Sequence, residues 1–238
     1  GRLTLVMERV GGETLRQWIA SHPNTDPAAQ RRLSEDLLLG LDYLEQKSVT
    51  HKDLKPDNLL VSDGRLILID FSLAGMPEDA PFGGTALYRD PASVRWTHGT
   101  DRFPAALCLF EIYAGRHAFD GRVPEPGQAP IVNDDDIRPS GLAAFFRKAL
   151  DPTPEKRFPS ARAMRDALLV ALGLFTRWAS LLLAVFCVAT AVIFHTKLGD
   201  TGQLLHFEKN FAIAGGFIAL ALAGAGRFSL DALLRGRP

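Results

Sequence analysis

The sequence has too few cysteines and too balanced a charge for several classes of protein. Its 238 residues include two cysteines, Cys108 and Cys187, and both lie inside apolar runs without the spacing of metal ligands. We therefore expect no disulfide framework, and buried, reduced thiols in a cytoplasmic setting. Basic and acidic residues number 27 each. Because the chain lacks the basic excess that is usual in nucleic-acid-binding proteins, we expect no nucleic-acid partner.

No signal-peptide pattern, internal repeat or low-complexity tract interrupts the order of predicted elements. The chain starts in a strand-like stretch, residues 3–7, and we expect further sequence to precede it. Apolar residues recur at helical spacing in residues 27–46. Two β-rich stretches, residues 59–61 and 66–69, flank a Ser-Asp-Gly turn and predict a hairpin. Shorter helices are predicted at residues 14–20, 105–114, 142–150 and 161–172.

The most informative string is HKDLKPDN at residues 51–58, which is followed beyond the predicted hairpin by DFS at residues 70–72. Phosphoryl transfer from a nucleotide needs a carboxylate that orients the attacking hydroxyl group and accepts its proton. It also needs a cation near the transferred phosphoryl group and oxygen ligands for Mg²⁺. The hairpin between the two strings would bring their polar residues to one cleft. The residues of the right chemical types are Asp53, Lys55, Asn58 and Asp70.

These two strings resemble the catalytic loop and the metal-binding motif of the protein kinase family. The Lys-Pro continuation resembles the Ser/Thr subgroup rather than the tyrosine-specific one. The resemblance implies that Asp53 is the catalytic base, that Lys55 neutralises the phosphoryl group, and that Asn58 and Asp70 bind Mg²⁺. It further implies ATP and Mg²⁺ as cofactors, and proteins with Ser or Thr hydroxyl groups as substrates.

Residues 5–12, LVMERVGG, resemble the hinge of the same family. The resemblance implies that Met7 is the gatekeeper and that the backbones of Glu8 and Val10 face the adenine. Leu60 would then form the apolar floor under the base. Taken alone, Met7 and Leu60 would be plain core residues, and only their register with the other motifs gives them a role.

Residues 84–91, GTALYRDP, resemble the end of the kinase activation segment. The resemblance implies that Thr85 forms hydrogen bonds with Asp53 and Lys55 and so belongs with the catalytic residues. It also implies that Asp101, at the start of a buried helix, anchors the backbone of the catalytic loop.

The resemblance implies an α+β, protein-kinase-like fold, with a mainly helical large lobe and a small β-hairpin. The apolar runs that follow predict two hydrophobic helices beyond it. The kinase-like part spans residues 1–172 and comprises the hinge and the C-terminal lobe. The glycine-rich loop, strand lysine and helix glutamate that grip ATP in kinases are not found. We therefore expect a truncated portion that by itself binds ATP weakly and transfers phosphate poorly or not at all.

Some residues depart from the family pattern. Lys52 replaces an arginine that clamps a phosphorylated activation loop in many kinases. Because lysine lacks the bidentate fork, we expect little dependence on such phosphorylation. Ser72 replaces a glycine, which restricts the backbone. Ala92 replaces a glutamate that would pair with Arg157, and Asp90 is a candidate substitute.

Two apolar runs, residues 178–194 and 211–226, predict a transmembrane hairpin within residues 173–228 and a basic cytoplasmic tail at 229–238. Each run would span roughly 25 Å, at the short end for a bilayer. Basic residues before the first run and after the second place both ends in the cytoplasm. The sequence thus predicts a multi-pass protein of the inner or plasma membrane, with lipid as a partner and the kinase domain cytoplasmic. The alternative is a buried hairpin that covers a missing lobe or a partner.

The leading hypothesis is therefore a membrane-anchored, ATP-dependent Ser/Thr protein kinase. The second hypothesis is a pseudokinase or scaffold that binds partners without catalysis, and it is motivated by the missing upper lobe and by the residues at positions 72 and 92. A third is a kinase-like enzyme that acts on a small molecule. The segment at residues 84–91 argues against the third, because it resembles a peptide-docking loop.

Overall fold

The computed structural model describes residues 10–23, 25–81, 83–134, 137, 141–172, 176–194 and 201–223. The chain divides into two compact units, Gly1–Leu168 and Leu169–Pro238. The first unit carries a small sheet and the helices around the predicted catalytic loop, and the second carries a pair of apolar helices. The domain boundaries predicted from the sequence stay predictions, and the predicted basic tail at 229–238 lies outside the described residues.

Among the described residues of the first unit, the sheet has three strands in the order β1 (Glu13–Thr14), β2 (Leu59–Ser62) and β3 (Arg65–Leu68). Both pairings are antiparallel, and Leu59 lies opposite Leu68 in the β2–β3 register. The sequence predicts this hairpin correctly. It does not predict β1, because two residues are too few to show a strand period.

Side-chain caps determine where the first two helices begin. The Oγ1 of Thr14 accepts a hydrogen bond from the backbone N–H of Gln17 at 3.3 Å, and the side chain of Gln17 accepts one from the N–H of Thr14 at 2.9 Å. This capping box starts α1 (Leu15–Ser21). Asp26 caps α2 (Pro27–Gln46), which has the predicted bounds and a proline at its first position. The buried face of α2 includes five leucines, Leu33, Leu37, Leu38, Leu41 and Leu44.

The core of the first unit is built around α3 (Arg102–Ala114), which is buried on nearly all sides. The helix starts three residues before the predicted bound at residue 105 because Pro104 fits in a first turn, where its missing N–H costs nothing. On α3, Phe110 packs edge-to-face on Phe146 with ring centroids 5.2 Å apart. A fully buried phenylalanine contributes about 2–3 kcal/mol to stability. The helices that follow, α4 (Gly141–Ala149) and α5 (Ala161–Ala171), lie close to their predicted bounds.

In the second unit, α6 (Thr176–Phe194) and α7 (Thr201–Ala223) pack against each other. Helix α7 begins ten residues before the second apolar run at residues 211–226, and the predicted transmembrane bounds stay predictions. Residues 203–210 include neither proline nor glycine, so nothing in their chemistry stops the helix from beginning earlier. The first half of α7 consequently carries charged side chains.

The predicted transmembrane hairpin is not confirmed. Within the part of the chain that the structure describes, none of the helices is long and apolar enough to cross a membrane. Large apolar side chains are nevertheless exposed on α6, where Leu182, Phe186 and Ile193 are 69%, 66% and 67% exposed.

Candidate active site

The loop that follows α2 is anchored by a buried carboxylate at the start of α3. Asp101 is 2% exposed and accepts hydrogen bonds from the backbone N–H groups of His51 at 2.5 Å and Lys52 at 3.0 Å. Burial raises the pKa of Asp101, and the two N–H groups act against this shift. The predicted anchoring of the loop by Asp101 is therefore confirmed. The ring of His51 extends the anchor, because its Nε2 lies 2.9 Å from the carbonyl oxygen of Ile69 at the end of the hairpin.

Three predicted catalytic residues meet directly. The Nζ of Lys55 donates to Oδ2 of Asp53 at 2.7 Å and to Oγ1 of Thr85 at 2.9 Å. The backbone N–H of Thr85 donates to the other carboxylate oxygen of Asp53 at 2.9 Å. The predicted contacts are thus present, while the catalytic roles of these residues stay predictions. The arrangement holds a carboxylate and a cation side by side, both of them partly buried.

The segment that carries Thr85 reaches the carboxylate only because the residue before it is glycine. Gly84 has a φ of 79°, and a Cβ atom there would lie 2.7 Å from Oδ1 of Asp53. A larger residue at this position would therefore displace either the segment or the carboxylate.

Asn58 completes this cluster and connects it to the hairpin. Its Nδ2 donates to the backbone oxygen of Asp53 at 2.8 Å and to Oδ2 of the same residue at 3.0 Å. Its backbone oxygen accepts a hydrogen bond from the N–H of Ile69 at 3.0 Å. Because β2 and β3 are paired in register immediately beyond these residues, Asn58 and Asp70 lie at the same end of the hairpin.

Asp70 has a left-handed backbone, with a φ of 64°, and an exposed carboxylate. Hydrogen bonds from Ser72 lower its pKa, and the positive charge of Lys55 adds to the shift. The carboxylate is therefore held in its ionised form, as a metal ligand requires. One carboxylate and one amide oxygen fit Mg²⁺, which keeps several of its waters. Among the described residues no cluster of three His, Cys, Asp or Glu side chains forms an alternative metal site.

The adenine side of the predicted site is described only in part. Met7 and Glu8 lie outside the described residues. Val10 is 38% exposed, and Leu60 is buried in β2 opposite Thr14. The chain approaches Leu60 closely at Gly12, where a Cβ would collide with the backbone oxygen of the next β2 residue.

Lys52 is buried, at 6% exposure, and its Nζ donates to the backbone oxygen of Met76. The same ammonium group lies 5.9 Å from the ring centroid of Trp96, whose backbone N–H donates to the backbone oxygen of Glu78 at 3.1 Å. The loop that follows Asp70 is thus held by the hydrogen bond from Lys52 to Met76 and by the backbone contact between Trp96 and Glu78.

The predicted substitute partner of Arg157 is confirmed. The guanidinium group of Arg157 donates to both carboxylate oxygens of Asp90, at 2.7 and 3.1 Å, and to the backbone oxygen of Asp151 at 2.7 Å. The two paired side chains are only 9% and 5% exposed. Asp90 therefore fills the place that the alanine at position 92 leaves without a carboxylate.

Sequence reasoning missed a chain of polar contacts on the other side of the catalytic loop. Arg16, on α1, donates from Nε to both carboxylate oxygens of Asp57 at 3.0 Å and from Nη2 to the hydroxyl of Tyr88 at 3.0 Å. That hydroxyl donates to Glu111 of α3 at 2.6 Å. These partners are far apart in sequence, and no local pattern could have indicated them.

His117 lies beneath the same segment, with its ring edge-to-face on Tyr88 at a centroid distance of 5.4 Å. Its Nδ1 accepts a hydrogen bond from the N–H of Phe119 at 3.2 Å. Burial lowers the pKa of His117 from 6.5 to about 4, so the ring is neutral at pH 7.

The shifted pKa of His117 predicts a loss of stability in acid. The unfolded chain takes up the proton below about pH 6.5, whereas the folded chain resists it until about pH 4. The melting temperature of the wild-type protein should therefore decrease as the pH is lowered from about 6.5 to about 4. His117→Gln should make this decrease smaller. The exposed His98, changed to Gln, is the control, and a slope that is equal in both variants would contradict the prediction.

Comparison with known proteins agrees with this geometry. The family pattern described as "Protein kinase domain" matches residues 1–168. The chain is 35% identical over 178 residues to "Probable kinase PglW" of Streptomyces coelicolor, which covers 65% of this chain and 11% of that protein. It is 28% identical over 184 residues to "Serine/threonine-protein kinase PknB" of Mycobacterium tuberculosis, which covers 69% of this chain and 29% of that protein. The chain thus spans less than a third of the length of these curated relatives.

Among solved structures, the kinase domain of M. tuberculosis PknI is similar, with a TM-score of 0.57 and 25% identity. The match covers 71% of this chain and 65% of that one.

Proposed function

We propose, because this chain belongs to the protein kinase family, that it transfers the terminal phosphoryl group of ATP to serine or threonine hydroxyl groups of proteins. The observation that carries the proposal is the convergence of Asp53, Lys55 and Thr85, with Asn58 bonded to the same carboxylate. The first unit would supply the hinge and the large lobe of the kinase fold.

In this mechanism Asp53 orients the acceptor hydroxyl group and takes its proton as the oxygen attacks phosphorus. The ammonium group of Lys55 lies next to that carboxylate. Its positive charge can therefore stabilise the negative charge of the phosphoryl group during transfer. Thr85 holds both partners through its hydroxyl and its backbone N–H. As the acceptor oxygen bonds to the terminal phosphorus, the bond from that phosphorus to the bridging oxygen breaks and ADP leaves with the electron pair. The proton ends on Asp53, and the phosphoryl group ends on the substrate oxygen.

Asn58 and Asp70 would hold Mg²⁺ at the end of the hairpin. The metal, when bound with ATP, neutralises charge on the phosphates. The contribution of the chain is to keep Asp70 ionised through Ser72 and to hold Asn58 in place through Asp53.

The residues at positions 72 and 92, which motivated the pseudokinase alternative, favour it less in their structural context. The backbone N–H of Ser72 donates to Oδ1 of Asp70 at 3.3 Å, as a glycine N–H also could, and the serine side chain further lowers the pKa of Asp70 through a hydrogen bond. The missing glutamate at position 92 is compensated by Asp90, which pairs with Arg157. Both departures from the family pattern are therefore compatible with the proposed site.

A transfer assay tests the proposal. The protein at its full natural length is incubated with γ-labelled ATP, Mg²⁺ and myelin basic protein, and the labelled amino acids are identified after acid hydrolysis. We expect phosphoserine or phosphothreonine. Nucleotide binding without any transfer would support the scaffold hypothesis instead, and label on tyrosine would contradict the assigned specificity.

We propose separately that the second unit attaches the protein to a membrane, with the first unit in the cytoplasm. The support is the exposed apolar surface of α6 at Leu182, Phe186 and Ile193, which lipid acyl chains would cover. Alkaline carbonate extraction of cell membranes tests it. Retention in the pellet is expected, and release into the supernatant would contradict the proposal.

A further inference from the structure

One guanidinium group bridges two segments of the candidate active site. Arg16 binds Asp57, which lies in the same loop as Asp53, and it also binds the hydroxyl of Tyr88, which follows Thr85 in the segment 84–91. The planar fork of arginine suits such a double contact, because several donors point in fixed directions.

The far end of this bridge is fixed in the core. Tyr88 is 3% exposed and donates to Glu111, which is 7% exposed on α3. Burial and the neighbouring carboxylate raise the pKa of Tyr88 well above its usual range. The hydroxyl therefore stays protonated at pH 7, and it can accept from Arg16 while it donates to Glu111.

The near end is fixed in the nucleotide-side sheet. α1 follows directly from β1, and Thr14 of β1 is paired with Leu60 of β2. Arg16 therefore projects from an element whose position is set by the sheet, and it contacts the catalytic loop and the segment 84–91 at once.

We propose that Arg16 is a positioning residue that holds the segment 84–91 in the orientation needed to receive a protein substrate. The inference rests on the proposed function, since it assigns that segment to substrate docking. Neither acceptor of Arg16 is a predicted metal ligand. Loss of the bridge should therefore weaken the use of the protein substrate without weakening the use of ATP.

The expected effect is moderate, because the pair of Arg16 and Asp57 is about half exposed, at 46% and 45%. A partly exposed ion pair contributes about 1 kcal/mol at most, which corresponds to about fivefold in an equilibrium constant. Arg16→Ala should raise the KM for myelin basic protein by about that factor, with the KM for ATP unchanged. Arg16→Lys, which keeps the charge but loses the fork, should fall between the wild type and Arg16→Ala.

Arg65→Ala is the matched control. Arg65 donates from Nε and Nη2 to both carboxylate oxygens of Asp36 at 2.8 and 2.9 Å, but on the opposite pair of elements, β3 and α2. Melting temperatures of all variants show whether a general loss of stability contributes. A rise in the KM for the protein substrate in Arg16→Ala, absent in Arg65→Ala, supports the inference.

Two results would overturn it: equal KM values for the protein substrate in Arg16→Ala and Arg65→Ala, or a parallel rise in the KM for ATP. A wild-type protein that transfers no phosphate would instead refute the proposed function. In that case fluorescence anisotropy of labelled myelin basic protein decides about Arg16. Weaker binding by Arg16→Ala than by Arg65→Ala would support its role, and equal binding would refute it.

Discussion

Asp53→Asn is expected to lower kcat by about 10²- to 10⁴-fold, the usual contribution of a general base. The substitution keeps the size of the side chain and an oxygen that accepts from the N–H of Thr85. It removes the negative charge that pairs with Lys55 and the group that takes the proton. The KM for ATP should change little, because the loss falls on the chemical step.

The control for this prediction is Asp63→Asn. Asp63 is an exposed carboxylate in the turn between β2 and β3, with a φ of 50° that asparagine also adopts. Its replacement should leave kcat unchanged. Steady-state assays of both variants check the prediction, and a kcat for Asp53→Asn within twofold of the wild type would contradict the assignment of the base.

Arg157→Ala is expected to cost about 3–5 kcal/mol of unfolding free energy, because it leaves a buried carboxylate without its partner. Asp90 would keep its hydrogen bonds from the N–H of Ala92 at 3.0 Å and from the hydroxyl of Ser93 at 2.8 Å, which carry no compensating positive charge. Adding Asp90→Asn should restore part of the loss, because no buried charge then remains. Urea denaturation measures the free energy of unfolding of the wild type, of Arg157→Ala and of the double variant.

Arg147→Ala serves as the control for the buried pair. Arg147 binds Asp134 at 2.8 Å, but the two side chains are 49% and 67% exposed. Such a pair contributes about 1 kcal/mol at most. A similar loss of unfolding free energy in Arg157→Ala and Arg147→Ala would contradict the prediction that the buried pair with Asp90 contributes more to stability than an exposed pair.

The parts of the fold that sequence predicts are those with a strong local signal. The leucine period of α2 gives its bounds, and the turn between β2 and β3 gives the hairpin. β1 is missed because it is too short to show a period, and its pairing with β2 depends on a contact distant in sequence. The first ten residues of α7 precede the apolar run, so the hydrophobicity of that run does not indicate that the helix includes them.

The candidate site divides in the same way. Asp53, Lys55 and Asn58 lie within one short string, so their resemblance to the kinase loop predicts their neighbourhood. Thr85 is predicted by a second string, and its contacts are present. The bridge from Arg16 to Tyr88 joins residues 72 positions apart. It depends on how α1 packs on the catalytic loop, which no local pattern encodes.

The Lys52 contact shows how a substitution gains meaning from structure. From sequence, the lysine is a weaker clamp for a phosphoryl group. In the fold its ammonium group is already occupied by the backbone oxygen of Met76 and lies over Trp96. Lys52 would therefore bind a phosphorylated activation loop less well than an arginine, but it holds the loop after Asp70 through Met76 and Trp96.

The proposed function requires one pocket to hold a metal–nucleotide complex and a separate catalytic base. Calorimetric titration of ATP, with and without Mg²⁺, tests it most directly when Asp70→Asn and Asp53→Asn are compared with the wild type. Asp70→Asn should lose the gain in affinity for ATP that Mg²⁺ provides. Asp53→Asn should keep that gain in affinity, although it loses turnover in the transfer assay. Equal dependence on Mg²⁺ in all three proteins would contradict the claim.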